Sequence, residues 1–341
     1  MFTSPSLTAS AVRFGRSVRF INLLAVLAFV LLSTGAFAQT LFAPQGRLTL
    51  TNFAPIMTSD VINATTVYYV PYVGDQIQIY TPGSFPTYTF PQLTLTLNPA
   101  VQTAGNIYDV FAFIQAGAVT LGTGPAWTDS ATRSTGTTLH TIGGIGPVFW
   151  FNNNATIVNN GANTYSINAF TGTYLGSIYM TGNGETSMQF RDAVTGGANN
   201  VLGVWNAYNR VRVTSQNFDS TPSWTYNSTV IREADGSSNN RITYIDGLGE
   251  SRVEGEYFCY AKAPASENVV IYLAFDQTTA ATGVWGVIGT GQSGSPLAKD
   301  DFIGQPGLHF VQALESLGNG STAATFQGGD IQQMLSASLD M

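Results

Sequence analysis

From residue 47 onward the chain repeatedly alternates apolar and polar side chains with a period of two. Arg47-Leu48-Thr49-Leu50-Thr51, Gln76-Ile77-Gln78-Ile79-Tyr80 and Leu93-Thr94-Leu95-Thr96-Leu97 all follow it. Successive side chains of an extended strand leave on opposite faces, so these segments read as strands with one face on a core and the other toward water. Val67-Tyr68-Tyr69-Val70 and Tyr108 to Ile114 are richer in β-branched and aromatic residues, as central strands are. Val73-Gly74-Asp75, Thr81-Pro82-Gly83-Ser84 and Ala104-Gly105-Asn106 supply turn residues at short, regular intervals, the pattern of a sandwich or barrel. Further strands are expected at Tyr174 to Met180, Thr186 to Phe190, Arg210 to Thr214, Trp224 to Ile231, Arg241 to Ile245, Val253 to Tyr260 and Val269 to Phe275. No repeat of about 20–50 residues is present, which excludes solenoids and propellers.

The expected fold class is therefore all-β: an antiparallel β-sandwich, jelly-roll-like, in two β-domains with at most a short C-terminal helix. The first β-domain is placed at 39–121. A junction rich in Gly, Thr and Ser follows at 122–147, then a C-terminal sandwich opening with Val148-Phe149-Trp150-Phe151 at 148–329, then a tail at 330–341. Gly182-Asn183-Gly184 predicts a hairpin between its flanking strands, because Asn-Gly tolerates the positive φ of a tight turn. Leu308 to Glu315 reads as a strand turning at Gly318-Asn319-Gly320 and returning through Ser321 to Phe326. Ile331, Met334 and Leu335 share one face of a helical turn or two in the tail.

Residues 1–38 read as a secretory signal peptide. Arg13, Arg16 and Arg19 form a basic region, Leu23 to Leu32 is an unbroken apolar run, and Ala36-Phe37-Ala38 offers a cleavage site before Gln39. No later segment is long and apolar enough to span a bilayer as a helix, so the mature chain is expected to be secreted or held at the cell surface. The leader takes three of the thirteen basic residues and none of the twenty acidic ones. An acidic remainder with only Lys262 and Lys299 as lysines disfavours phosphate contacts, and nucleic acid is not an expected partner. Cys259 stands alone, so an intramolecular disulfide is impossible and stability must come from core area or from subunit contacts.

Catalytic chemistry finds few parts. His140 and His309 are the two histidines and read as structural. There is no Cys pair, no His-x-x-x-His and no Gly-x-Ser-x-Gly elbow. Glu254 and Glu256, with Glu250 nearby, lie two apart on one strand face at roughly 6–7 Å, close to the spacing glycosidases use. Their arrangement departs from the Glu-x-Asp-x-x-Glu of jelly-roll glucanases, and they read as solvated acids. No catalytic residue, metal or cofactor is assigned. Asp235-Gly236-Ser237-Ser238-Asn239-Asn240 could offer oxygen ligands to calcium, or simply form a polar turn. The candidate carbohydrate-binding set is Trp205, Tyr208 and Arg210 with Trp224 and Tyr226, because rings beside amide and guanidinium groups suit a sugar's apolar face and its hydroxyls. The same rings could equally rim a sandwich core.

Several blocks resemble β-rich structural proteins of tailed phages and prophages. They are Arg47 to Thr51, Pro55-Ile56-Met57-Thr58-Ser59-Asp60-Val61 and Tyr68-Tyr69-Val70-Pro71-Tyr72-Val73-Gly74, then Leu121 to Trp127, Asn200 to Val211, Asn240-Arg241-Ile242 and Asp246 to Glu250. They keep a consistent order over most of the mature chain. The resemblance implies a tail- or virion-surface-like protein, non-enzymatic and homo-oligomeric, a trimer if it holds, with no catalytic residues to carry over. The leader departs from it, since virion proteins assemble in the cytoplasm, and points instead to an exported relative. Two functions are thus expected: an extracellular structural or adhesive protein, or a carbohydrate-binding or glycoside-hydrolase module recognising a cell-surface glycan.

Overall fold

The alternating segments fold as strands. Gly46–Thr49, Thr66–Pro71 and Leu93–Thr96 form a three-stranded antiparallel sheet, and Gln76–Gln78 pairs with Thr87–Thr89. The computed structural model describes residues 41–141, 150–320 and 322–341; the expected signal peptide, residues 142–147 of the expected junction and residues 148–149 of the expected sandwich opening lie outside them. Among the described residues the helical segments are two 3₁₀ turns, Thr135–Thr137 and Ala234–Gly236, and the fold is all-β. Three eight-stranded sheets carry most of the chain.

The first of these has Ile107–Gln115 at its centre, between Ala118–Ala126 and Thr173–Tyr179. The second runs in the order Val61–Ala64, Thr186–Met188, Asn199–Leu202, Arg241–Asp246, Gly307–Leu317, Val269–Phe275, Gly286–Ile288. The third is built on Val253–Lys262, with Gln333–Asp340 on one side and Leu297–Phe302 on the other. Among the described residues pairing is antiparallel except at two places, Asn199–Leu202 with Arg241–Asp246 and Arg191–Val194 with Arg212–Asp219.

The second and third sheets face each other across the core. Val253, Gly255, Tyr257, Cys259 and Ala261 alternate inward along their strand, against Ile271, Leu273, Val311 and Ala313. Gly255 has no side chain because the facing sheet leaves no room: a Cβ there would sit 2.5 Å from Leu273 Cδ2.

Five expectations need correction. The chain does not divide at 122–147, since Ala118–Ala126 is a strand inside that span and Ile107–Gln115 pairs with Thr173–Tyr179 across it; Leu41–Met341 is one compact unit. The turn after Gly182 forms, with a bridge from Gly182 to Glu185, but the flanking segments part into different sheets. Gly307–Leu317 is the expected strand, yet Ala324–Gln327 pairs with Val253–Lys262 and Trp224–Tyr226 instead of returning on it. The tail is a strand, Gln333–Asp340, burying Leu335, Ala337 and Leu339 at period two, while Ile331 is exposed. Finally, the strand at Arg47 is covered on both faces. The Arg47 guanidinium is buried among carbonyls of Pro55, Asn209 and Met341, and burial pulls it down to about 10.

Candidate functional site

The expected sugar-binding rings are structural. Trp205 is fully buried and donates Nε1–H to Ser251 Oγ at 2.9 Å. The Tyr208 hydroxyl accepts the Trp150 amide at 3.0 Å, and Arg210 pairs with Glu250 at 2.8 Å. Trp224 stacks on Phe326 with planes 3° apart, and its Nε1–H reaches the buried Glu315 at 2.8 Å. Tyr226 lies beneath the Arg232 guanidinium at 3.9 Å and donates to the Val230 carbonyl. Trp205 and Trp224 also stand in different sheets. Nothing in either cluster leaves a bare ring face to stack on a sugar.

The acidic residues are engaged as well. Glu254 pairs with Arg212 at 2.5 Å and Glu256 with Lys299, on the outer side of the third sheet. Asp235 accepts from Thr221 Oγ1 at 3.0 Å, and burial raises its carboxyl above the usual range. The nearby Asp219 is buried and accepts from the Gly196 and Thr221 amides and from Asn240 Nδ2. These oxygens are spent on closing the turn rather than converging on a cation.

A cavity of ≈ 660 Å³ lies on a face of the second sheet. Alternation on Arg241–Asp246 puts Arg241 and Thr243 on one face, with Ile242 and Tyr244 in the core. Register then sets Asn199 beside Arg241 and Val201 beside Thr243 on one neighbouring strand, and Phe310 opposite Thr243 on the other. Tyr179, Thr181 and the Ser130-Ala131 turn wall the floor. That turn is held by Asp129, which accepts the Ala131 and Thr132 amides, while the Ser130 carbonyl accepts the Leu308 amide.

Arg241 is fixed but not neutralised. Its guanidinium lies over the Phe310 ring at 3.9 Å, and Nε–H donates to Gln312 at 2.9 Å. Gln312 is itself anchored by the Asn240 carbonyl. Among the described residues Arg241 makes no ion pair, and its outer nitrogens donate to no protein atom. Burial lowers its pKa, with the charges of Glu233 and Asp276 opposing.

At the cavity's edge Asp276, at φ 52°, accepts the Phe310 amide on Oδ1 at 2.9 Å and meets His309 Nδ1 with Oδ2 at 2.7 Å. His309 Nε2 faces the Gln305 carbonyl at 2.9 Å. Both ring nitrogens therefore meet acceptors, and the imidazolium is the form that satisfies both. Burial opposes that charge, but Asp276 and the carbonyl outweigh it and raise the pKa. A histidine so used has no lone pair to offer as a base, and Ser130 makes no hydrogen bond to it.

A second feature is an apolar edge. Residues 277–298 contain no charged side chain. Within them Val284, Trp285 and Val287 are exposed beside Leu297, on or next to the edge strand Gly286–Ile288. Trp285 is tilted against Tyr272, with ring centroids 6.5 Å apart, and Val287 pairs with Val270.

No protein-family model and no curated protein matches the chain. Solved structures with slight similarity include three Cry proteins of Bacillus thuringiensis. Cry8Ea1 is 7% identical over 86% of this chain, at TM-score 0.22. Cry4Aa is 8% identical over 83%, at 0.20, and a Cry1Da tryptic core variant 9% identical over 82%, at 0.19. The chain spans about half the length of each (51%, 51% and 52%), and a likeness this slight carries no argument.

Proposed function

We propose that the chain is an exported, non-enzymatic structural or adhesive β-protein that assembles with copies of itself outside the cell. The observation carrying this reading is the edge around Trp285. Proteins usually guard an edge strand with charge, proline or a covering loop, because exposed strand edges invite pairing. Here the Val284 amide already donates to the Lys299 carbonyl and Pro296 lies against Gly286, and what is left open is the apolar face of Val284, Trp285 and Val287, with no charge in the segment. A second copy is the occupant that fits best. A two-fold contact lays a patch on itself, which a neutral apolar surface tolerates and a single-sign charged one does not. The nearby Lys299 is already paired with Glu256. The resemblance to phage surface proteins is in keeping with self-assembly, and the expected signal peptide with export. Light scattering on the secreted protein tests it: the expected mass is a multiple of the single chain.

A further inference from the structure

The cavity over Arg241 is separate from the assembly edge and offers a different chemistry. Its free groups are donors. The outer nitrogens of Arg241 are unclaimed. Asn199 uses its carbonyl oxygen to accept from Thr243 Oγ1 at 2.7 Å, which leaves the amide NH₂. The Tyr179 hydroxyl makes no hydrogen bond among the described residues, and burial raises its pKa, so it stays a donor. The one carboxylate at the edge, Asp276, has both oxygens occupied, and its charge is cancelled by the His309 imidazolium. The site thus presents free donors in an acidic chain, with an acceptor missing.

We propose that this cavity binds a carboxylate-bearing sugar of an extracellular polysaccharide, with the Arg241 fork on the carboxylate and Asn199 and Tyr179 on ring hydroxyls. A planar guanidinium presents two parallel N–H donors that match a carboxylate, a geometry lysine lacks. The stacking on Phe310 and the bond to Gln312 set the fork before the ligand arrives, so little side-chain freedom is lost on binding. The volume lies within the ~300–1,000 Å³ of small-ligand sites and exceeds what a bare carboxylate fills. Val201 and Leu308 supply apolar surface for the sugar's C–H face.

Calorimetry on the secreted protein with trimers of galacturonate, glucuronate, mannuronate and guluronate tests this. At least one should bind saturably, and its carboxyl-reduced neutral counterpart should bind about tenfold more weakly or worse. Arg241→Lys keeps the charge and loses the fork; its melting curve should match the parent and its affinity should fall about tenfold. Asn199→Ala, at an exposed position, should weaken binding about two- to fivefold. Failure of all four uronates, equal binding of the neutral counterpart, undiminished binding by a folded Arg241→Lys, or preference for a peptide C-terminus over every uronate would overturn the proposal.

Discussion

His309 and Asp276 are joined by Nδ1 and Oδ2 at 2.7 Å, and the far nitrogen of the same ring meets the Gln305 carbonyl at 2.9 Å. The pair ties the Gly307–Leu317 strand to the end of Val269–Phe275 and forms one edge of the cavity. Since the folded pKa of His309 lies above its unfolded value of about 6.5, the folded state holds the proton more tightly. Its contribution is complete below about pH 6.5 and is lost as pH rises through the folded pKa. Melting curves up to about pH 8.5 should show this decline, and His309→Gln should reduce it while leaving the fall that Glu315 contributes. An unchanged slope in that variant would mean the imidazolium is not the folded form.

Glu315 shows the same sign in a lower window. It is buried, bound by Arg232 at 2.6 Å and by the Trp224 indole at 2.8 Å. Burial nonetheless pushes its carboxyl up to about 7, against the pull of Trp224 and Arg232. Its contribution to stability should therefore be complete below about pH 4.5 and fall as pH rises toward about 7, by about 3 kcal/mol. Denaturant titrations of Glu315→Gln should lack that fall while keeping the one assigned to His309. A Glu315→Gln variant whose pH dependence over this window matches that of the parent would refute the assignment.

Gly255 marks the closest approach of the two facing sheets. Gly255→Ala should cost about 1–3 kcal/mol by overpacking against Leu273, which is fully buried and has little room to turn. Pairing Gly255→Ala with Leu273→Val should recover part of the loss. Equilibrium unfolding of both variants checks this, and a neutral Gly255→Ala would show that the sheets pack less tightly than described.

Glu254 is paired with Arg212 on an exposed face. Exposed pairs contribute little, and Glu254→Gln should change stability by less than about 0.5 kcal/mol. A larger loss in a denaturant titration would give the pair a structural role that the geometry does not suggest.

Strand positions were legible because alternation is local: Val269–Phe275 has the expected bounds, and the Arg47, Leu93 and Tyr108 segments fall within one or two residues. Partners were not legible, because pairing is decided between distant segments. Gly318-Asn319-Gly320 looks like a hairpin turn, yet the strand after it is claimed by Val253–Lys262. In the tail, Leu335, Ala337 and Leu339 carried a period-two signal that the apparent helical face of Ile331, Met334 and Leu335 obscured. Among the site residues, the Trp205 and Trp224 clusters looked available because polar neighbours accompany them. In the fold those neighbours satisfy the indole N–H groups inside the core. In the sequence Arg241 reads as the start of a strand and as part of one block of the resemblance. Its importance comes from Gln312, 71 positions away, and from Phe310 across the ladder, and no local pattern announces either.

The central claim is that the edge around Trp285 holds copies of this chain together. The most direct measurement is multi-angle light scattering of the secreted protein and of a Trp285→Glu, Val287→Lys double variant, across a micromolar dilution series. Both residues are already exposed, so the variant should fold with an unchanged far-ultraviolet spectrum. The account predicts a parent mass that is a multiple of the single chain and a variant mass equal to one chain. A monomeric parent at every concentration, or a variant that assembles as the parent does, would contradict it.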